Sequence, residues 1–197
     1  LAMDNPILRT LILDHSADDA EQLITALRTG PYILKPQRAA SGDHALTLLA
    51  DGNWDLLLVE PATPGAHLSR LTAANRMQAL PVPILVTTHK TAALNIPQFM
   101  ADGARDVLFK GEWDRLLPVI ARELDALAQR REHSALKERY ERIEARYRAM
   151  IENSQEAVCF CHAGVYVDAN TSYLNLLGYA DLEELKGVPL LDMIDKA

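Results

Sequence analysis

The sequence predicts an α/β protein: a doubly wound, five-stranded parallel sheet, continued by a long helix and then by the partial start of an α+β unit. Three observations carry this. Over residues 1–128, five short apolar runs alternate with amphipathic stretches. The run at 56–59 (LLLV) is apolar at every position, as expected of a strand covered on both faces. From Trp113 a helical pattern continues to about Ile151 without a glycine.

Residues 8–13 (LRTLIL) read as the first strand. A helix over 17–28 follows, because Ala20, Leu23, Ile24 and Leu27 recur at helical spacing. Asp18 and Asp19 fall in its first turn, where they suit the positive end of the helix dipole, and Gly30-Pro31 stops it. A weaker strand over 32–39 leads to a helix over 42–50, ahead of the turn signal Asp51-Gly52-Asn53. The LLLV strand comes next, then a helix over 66–80 ended by Pro81-Val82-Pro83, then a buried strand over 84–87. Pro97 falls inside the helix expected at 92–101, so that element should be distorted or shortened. The last strand covers 105–109, and the long helix begins near Glu112.

Along that helix Trp113, Leu117, Ile120, Leu124 and Leu127 alternate spacings of four and three. Leu136, Tyr140, Ile143, Tyr147 and Met150 repeat the alternation. Leu136 lies nine residues after Leu127, so at about 100° per residue the second stripe is turned by roughly half a revolution. One helix thus offers its first face to the α/β core and its opposite face elsewhere, across the polar break Arg130-Arg131-Glu132-His133. The second stripe is flanked by Glu138–Arg142 and Glu144–Arg148 at i,i+4 and is expected to form a parallel coiled coil that makes a homodimer. The plainer alternative is a solvated linker helix, or one packed on its own domain.

Beyond Asn153, Ala157-Val158-Cys159-Phe160, a Gly164 turn and residues 165–167 read as a hairpin, with short helices over 170–177 and 181–185 separated by Gly178-Tyr179. Some 45 residues are too few for an independent core, so the sequence is expected to stop inside its second domain. The expected division is a first domain at 1–128, a helical linker at 129–152 and the partial second domain at 153–197.

Hydrophobic residues at 49% and charged residues at 24% indicate a folded chain. A net charge of −7 argues against nucleic-acid binding, and charge or proline interrupts every candidate membrane span. The start of the chain lacks a basic segment followed by an apolar stretch, so no secretory signal is expected. Cys159 and Cys161 are too close in sequence for easy disulfide geometry and read as small apolar strand residues. His162 alone does not complete a metal site with them. The expected compartment is a reducing one, the cytoplasm. His44, His67 and His133 read as surface residues.

In a doubly wound sheet, ligands bind beyond the carboxyl ends of the strands. Four places qualify: Asp14-His15-Ser16, Glu60-Pro61, Thr88-His89 and Lys110-Gly111. With LILDHS, DLLLVEPATPG, PILVTTHK and GARDVLFKGEW, residues 7–128 resemble the receiver domain of two-component response regulators. In that family two adjacent acids bind Mg²⁺ together with an aspartate that takes the phosphoryl group, which a Thr or Ser and a Lys contact. The resemblance carries these roles to Asp14, Glu60, Thr88 and Lys110, with His15 in place of the second acid and Gly111 in place of the usual proline.

These departures predict a degenerate acceptor pocket. His15 removes a carboxylate that Mg²⁺ favours. Glu60 is longer than aspartate by one methylene, displacing its oxygen by about 1.5 Å, where roughly 1 Å can cost a hundredfold in a positioned reaction. Its carboxylate is expected to reach Lys110 in a permanent ion pair. His89, beside the pocket, reads as structural. The rival readings are a receiver that accepts phosphate on Glu60 or Asp14, and a ligand or redox sensor acting through the second domain.

The tail, ARYRAMIENSQEAVCFCHAGVYVDANTSYLNLLGYADLEELKG, is similar to the first half of a PAS domain, including Asn170 after the second strand and the LLGY before the next helix. PAS modules carry haem, flavin or nothing, and no cofactor is assigned. An unusual receiver joined by a long helix to a PAS domain resembles the N-terminal region of FimX-type signalling proteins. There, degenerate GGDEF and EAL domains follow, bind cyclic di-GMP and regulate type IV pili and twitching motility. The resemblance implies a non-catalytic regulatory region whose partners are a second copy and other signalling proteins, without nucleic acid or membrane insertion.

Overall fold

Five parallel strands form the first sheet: β1 (Ile7–Leu13), β2 (Ile33–Ala39), β3 (Leu56–Val59), β4 (Ile84–Thr88) and β5 (Asp106–Phe109), in the order β2-β1-β3-β4-β5. The computed structural model describes residues 5–191. The first four residues, read above for a secretory signal, and 192–197, the end of the expected third segment, lie outside it. The chain divides into two units, 1–133 and 134–197.

Side chains alternate across the first sheet and feed two apolar layers. Leu11, Leu13, Leu57, Val59 and Val86 pack with α2 (Gly42–Asp51), α3 (Leu68–Arg76) and α4 (Ile96–Ala101). Leu8, Ile12, Leu56, Leu58 and Leu85 pack with α1 (Ala17–Leu27) and the start of α5 (Leu116–Glu152). Helices on both faces explain why β3 and β4 are buried at every residue. Strand order reverses between β1 and β3, so their carboxyl ends flank the switch point of the sheet.

Two elements are shorter than expected, for local reasons. The third helix starts only at Leu68, because Gly65 at φ +73° and a turn from Thr63 to Ala66 precede it. Pro97 sits in the first turn of α4, where its missing N–H costs nothing, and a 3-10 turn over Lys90–Asn95 takes up the preceding residues. Proline therefore starts this helix.

The core-facing line of α5 is also rotated from expectation. Leu116, Val119, Ile120, Glu123 and Leu127 are buried, while Trp113, Leu117 and Leu124 are half-buried at the edge. Apolar spacing alone could not reveal that a carboxylate occupies the buried face. Glu123 is held there by Arg105 at 3.0 Å and Arg122 at 2.8 Å.

In the second unit, β6 (Cys159–His162) and β7 (Val165–Ala169) form an antiparallel hairpin, followed by α6 (Thr171–Leu177) and α7 (Leu182–Leu185). Its two-residue turn has positive φ at Ala163 (49°) and Gly164 (79°), the twist a tight hairpin favours. Tyr166, Ala169 and Leu185 centre a small core, and a bulge between Phe160 and Cys161 leaves Cys159 packed against it and Cys161 exposed. Buried Asn170 uses its whole amide. Its oxygen accepts from Val158 N and Tyr173 N, and its nitrogen donates to Ile151 O and Glu156 O, all within 3.0 Å.

Candidate functional site

The backbone ladder of the first sheet delivers three acceptor-pocket residues to one edge. Asp14 N donates to Ala39 O, Glu60 N to Leu13 O and Lys110 N to Thr88 O, each at 2.8–3.1 Å, so these residues continue the strands by one step. Asp14, Glu60 and Thr88 are all but fully buried. Gly111 turns the chain after β5 at φ +81°, a conformation that the proline ring forbids.

The Lys110 side chain, 8% exposed, ends among three carboxylates. Its Nζ lies 2.8 Å from Asp14 Oδ2, 2.7 Å from Asp19 Oδ2 and 2.9 Å from Glu60 Oε2. The second Glu60 oxygen accepts from Ala62 N at 3.0 Å and from Thr88 Oγ1 at 3.4 Å. Asp14 Oδ1 accepts from Ser16 N, and Ser16 in turn caps α1 by accepting from Asp19 N. Burial disfavours the ammonium, but the hydrogen bonds to Asp14, Asp19 and Glu60 outweigh it and hold Lys110 above the ordinary lysine range. Its hydrogen bond in turn holds the Asp19 carboxyl below its usual value.

Asp14, Glu60, Thr88 and Lys110 lie together at this edge, with Glu60 reaching Lys110. His15 does not join them. Its Nδ1 lies 3.3 Å from Thr63 Oγ1 and 3.9 Å from Asp14 Oδ1, and half of the side chain is exposed. Arg38 fixes this loop by donating to the carbonyls of Asp14 and His15, each at 3.0 Å. Asp19 is the member that sequence reasoning missed. Its place in the first turn of α1 sets it at the same edge as Lys110, a signal hidden because the helix dipole already explained an acid there. His89 stands beside it, with Nε2 3.7 Å from Asp19 Oδ2.

These residues do not fit the Mg²⁺ that the receiver resemblance implies. The lysine ammonium already takes a carboxylate oxygen from Asp14, Asp19 and Glu60, and a histidine turned toward Thr63 stands where a hard oxygen donor is needed. Among the described residues no cluster of three or more His, Cys, Asp and Glu side chains is arranged to hold a metal ion.

The expected dimerisation residues all lie in the second unit. Leu136, Tyr140, Ile143, Tyr147 and Met150 are between 52% and 68% exposed. The Tyr147 ring packs against Phe160 with centroids 6.1 Å apart. Tyr140, Tyr147, Ile151, Phe160, Val167 and Leu174 line a groove of about 630 Å³.

The arrangement agrees with known structures. A protein described as a response regulator from Chloroflexus aurantiacus is 28% identical, with a TM-score of 0.52 over 62% of this chain and 98% of its own. The first unit has the receiver fold. The signal receiver domain of an HD domain-containing protein from Pseudomonas fluorescens shares that fold at 21% identity and a TM-score of 0.56, over 67% of this chain and 97% of its own. NtrX from Brucella abortus, 20% identical with a TM-score of 0.56, is matched over 66% of this chain, which spans only 29% of the NtrX chain. The family model of the PAS domain matches residues 145–196. No curated protein matches the chain. A receiver followed by a PAS region marks a regulatory protein of signal transduction, and modules of both kinds are generally non-catalytic. Among the described residues no helix is long and apolar enough to cross a membrane.

Proposed function

We propose that this chain is the non-catalytic regulatory region of a bacterial signalling protein, with a receiver that does not take phosphate. It relays partner or dimer state through α5 to the PAS region and onward. The observation that supports this best is the Lys110 ammonium held at 2.7–2.9 Å by Asp14, Asp19 and Glu60. In the family the lysine contacts an incoming phosphoryl group; here a built-in carboxylate, Glu60, already engages it. Glu60 Oε1 accepts from Ala62 N and Thr88 Oγ1 while Oε2 faces the Lys110 ammonium at 2.9 Å, which supports a carboxylate held in place rather than aimed at a phosphodonor.

The order of receiver, long helix and PAS region, with Glu60 at the acceptor position, supports the FimX-type likeness. On that likeness the region acts in the cytoplasm as a homodimer. The domains that follow would be GGDEF and EAL domains that bind cyclic di-GMP in control of type IV pili and twitching.

Incubation with acetyl phosphate and Mg²⁺, read by intact mass, tests the receiver reading. The wild-type mass is expected to stay unchanged, and His15→Asp/Glu60→Asp to gain one phosphoryl group. Stoichiometric phosphorylation of the wild type would establish the phospho-accepting receiver instead.

A further inference from the structure

Helix α5 carries a second heptad register after its receiver face. With Tyr140 and Tyr147 at a, Leu136, Ile143 and Met150 fall at d. These five exposed side chains line about 20 Å of helix, a long apolar seam to leave in water.

The charges beside the seam say what covers it. In a parallel, in-register pair, each g residue faces the e residue five positions later on the other helix. Glu132 and Arg139 stand at g, and Lys137 and Glu144 at e. Glu132 then meets Lys137 of the second copy, and Arg139 meets its Glu144; both contacts are attractive, and symmetry makes each twice. In an antiparallel pair with the seams fully overlapped, Lys137 faces Glu144 of the second copy, but Arg139 faces its Arg146, like against like. The attractive contacts are then offset, where the parallel pair has attraction at both.

We propose that α5 pairs with α5 of a second copy of this chain, parallel and in register over residues 132–150, with Arg139 and Glu144 setting the orientation. The inference rests on the dimeric part of the function proposed above and adds its geometry. Within one chain, Glu144 is bound by Arg148 at 3.1 Å and Lys137 lies 3.9 Å from Glu141. Exposed pairs of this kind are worth little, so redirecting them across the interface costs little. Tyr147 ties the seam to the hairpin, because the same ring packs on Phe160, itself 37% exposed.

The test uses the full chain. Ile143→Cys under mild oxidation is expected to form a disulfide with its own counterpart, identified by peptide mass mapping so that Cys159 and Cys161 are not confused with it. Glu141→Cys, at an outward b position, is expected to form none. Arg139→Glu should raise the dimer dissociation constant about tenfold, since symmetric attractive pairs become repulsive. Arg139→Glu/Glu144→Lys should restore it. A stable dimer in which the Ile143→Cys variant does not cross-link and Arg139→Glu changes nothing would overturn the parallel pairing while leaving a dimeric region intact. A monomer at every concentration would overturn both.

Discussion

Lys110 is the residue on which the carboxyl edge of the first sheet depends. Replaced by Met, it would leave Asp14 and Glu60, both buried, without a counter-charge. Losing one partner of a buried pair costs about 3 kcal/mol, which urea unfolding at neutral pH would read as a lower midpoint. The pH dependence has a definite sign. The depressed Asp19 stabilises the fold above its unfolded value, and this is lost as pH falls through the folded one. The raised Lys110 contributes fully below its unfolded value, and this is lost only as pH rises through the folded one. In Lys110→Met the Asp19 carboxyl loses the hydrogen bond that holds it below its usual value, so the stability gap to wild type should narrow as pH falls through the acid range. A gap that stays constant from neutral to acid pH would argue against the cluster. Asp14, Glu60, Thr88 and Lys110 were legible because the ends of parallel strands share one edge. The orientation of His15 was not, because it depends on Thr63, 48 residues away in sequence.

At the scale of elements, α5 shows where sequence patterning stops working. The polar run Arg130-Arg131-Glu132-His133 reads as a break between two stripes, yet Arg131 anchors the helix to the sheet. Its guanidinium lies 2.8 Å from Asp55 Oδ1 and 3.1 Å from Trp54 O, while Arg9 N donates to the other Asp55 oxygen. Asp55 is buried, so its partners matter. Arg131→Ala is expected to cost about 1 kcal/mol, a small value because the arginine is partly exposed, and to speed amide exchange in α5 near residue 131. Unchanged exchange there would show the anchor to be idle. Periodicity records apolar residues alone, which is why Glu123 on the buried face went unread and Arg131 past its end read only as part of a break. The apolar strands and well-capped helices were placed to within a residue or two, since Ser16 and Ser41 each cap the helix that follows.

For the whole molecule, alternating strands and helices were enough to specify the receiver sheet, and the tail's LLGY and Asn170 its PAS region. The proposed pairing with a second copy was legible only as an apolar stripe, because a single sequence does not say which apolar face is covered. The proposed relay runs from a receiver without phosphate chemistry through a dimer formed by α5 and the region beyond it. Light scattering over a concentration series, comparing the full chain with one ending at His133, tests it most directly, since the shorter chain keeps the Arg131–Asp55 anchor. The full chain is expected to be a dimer and the shorter one a monomer. A shorter chain that remains dimeric, or a full chain that stays monomeric, would contradict the relay.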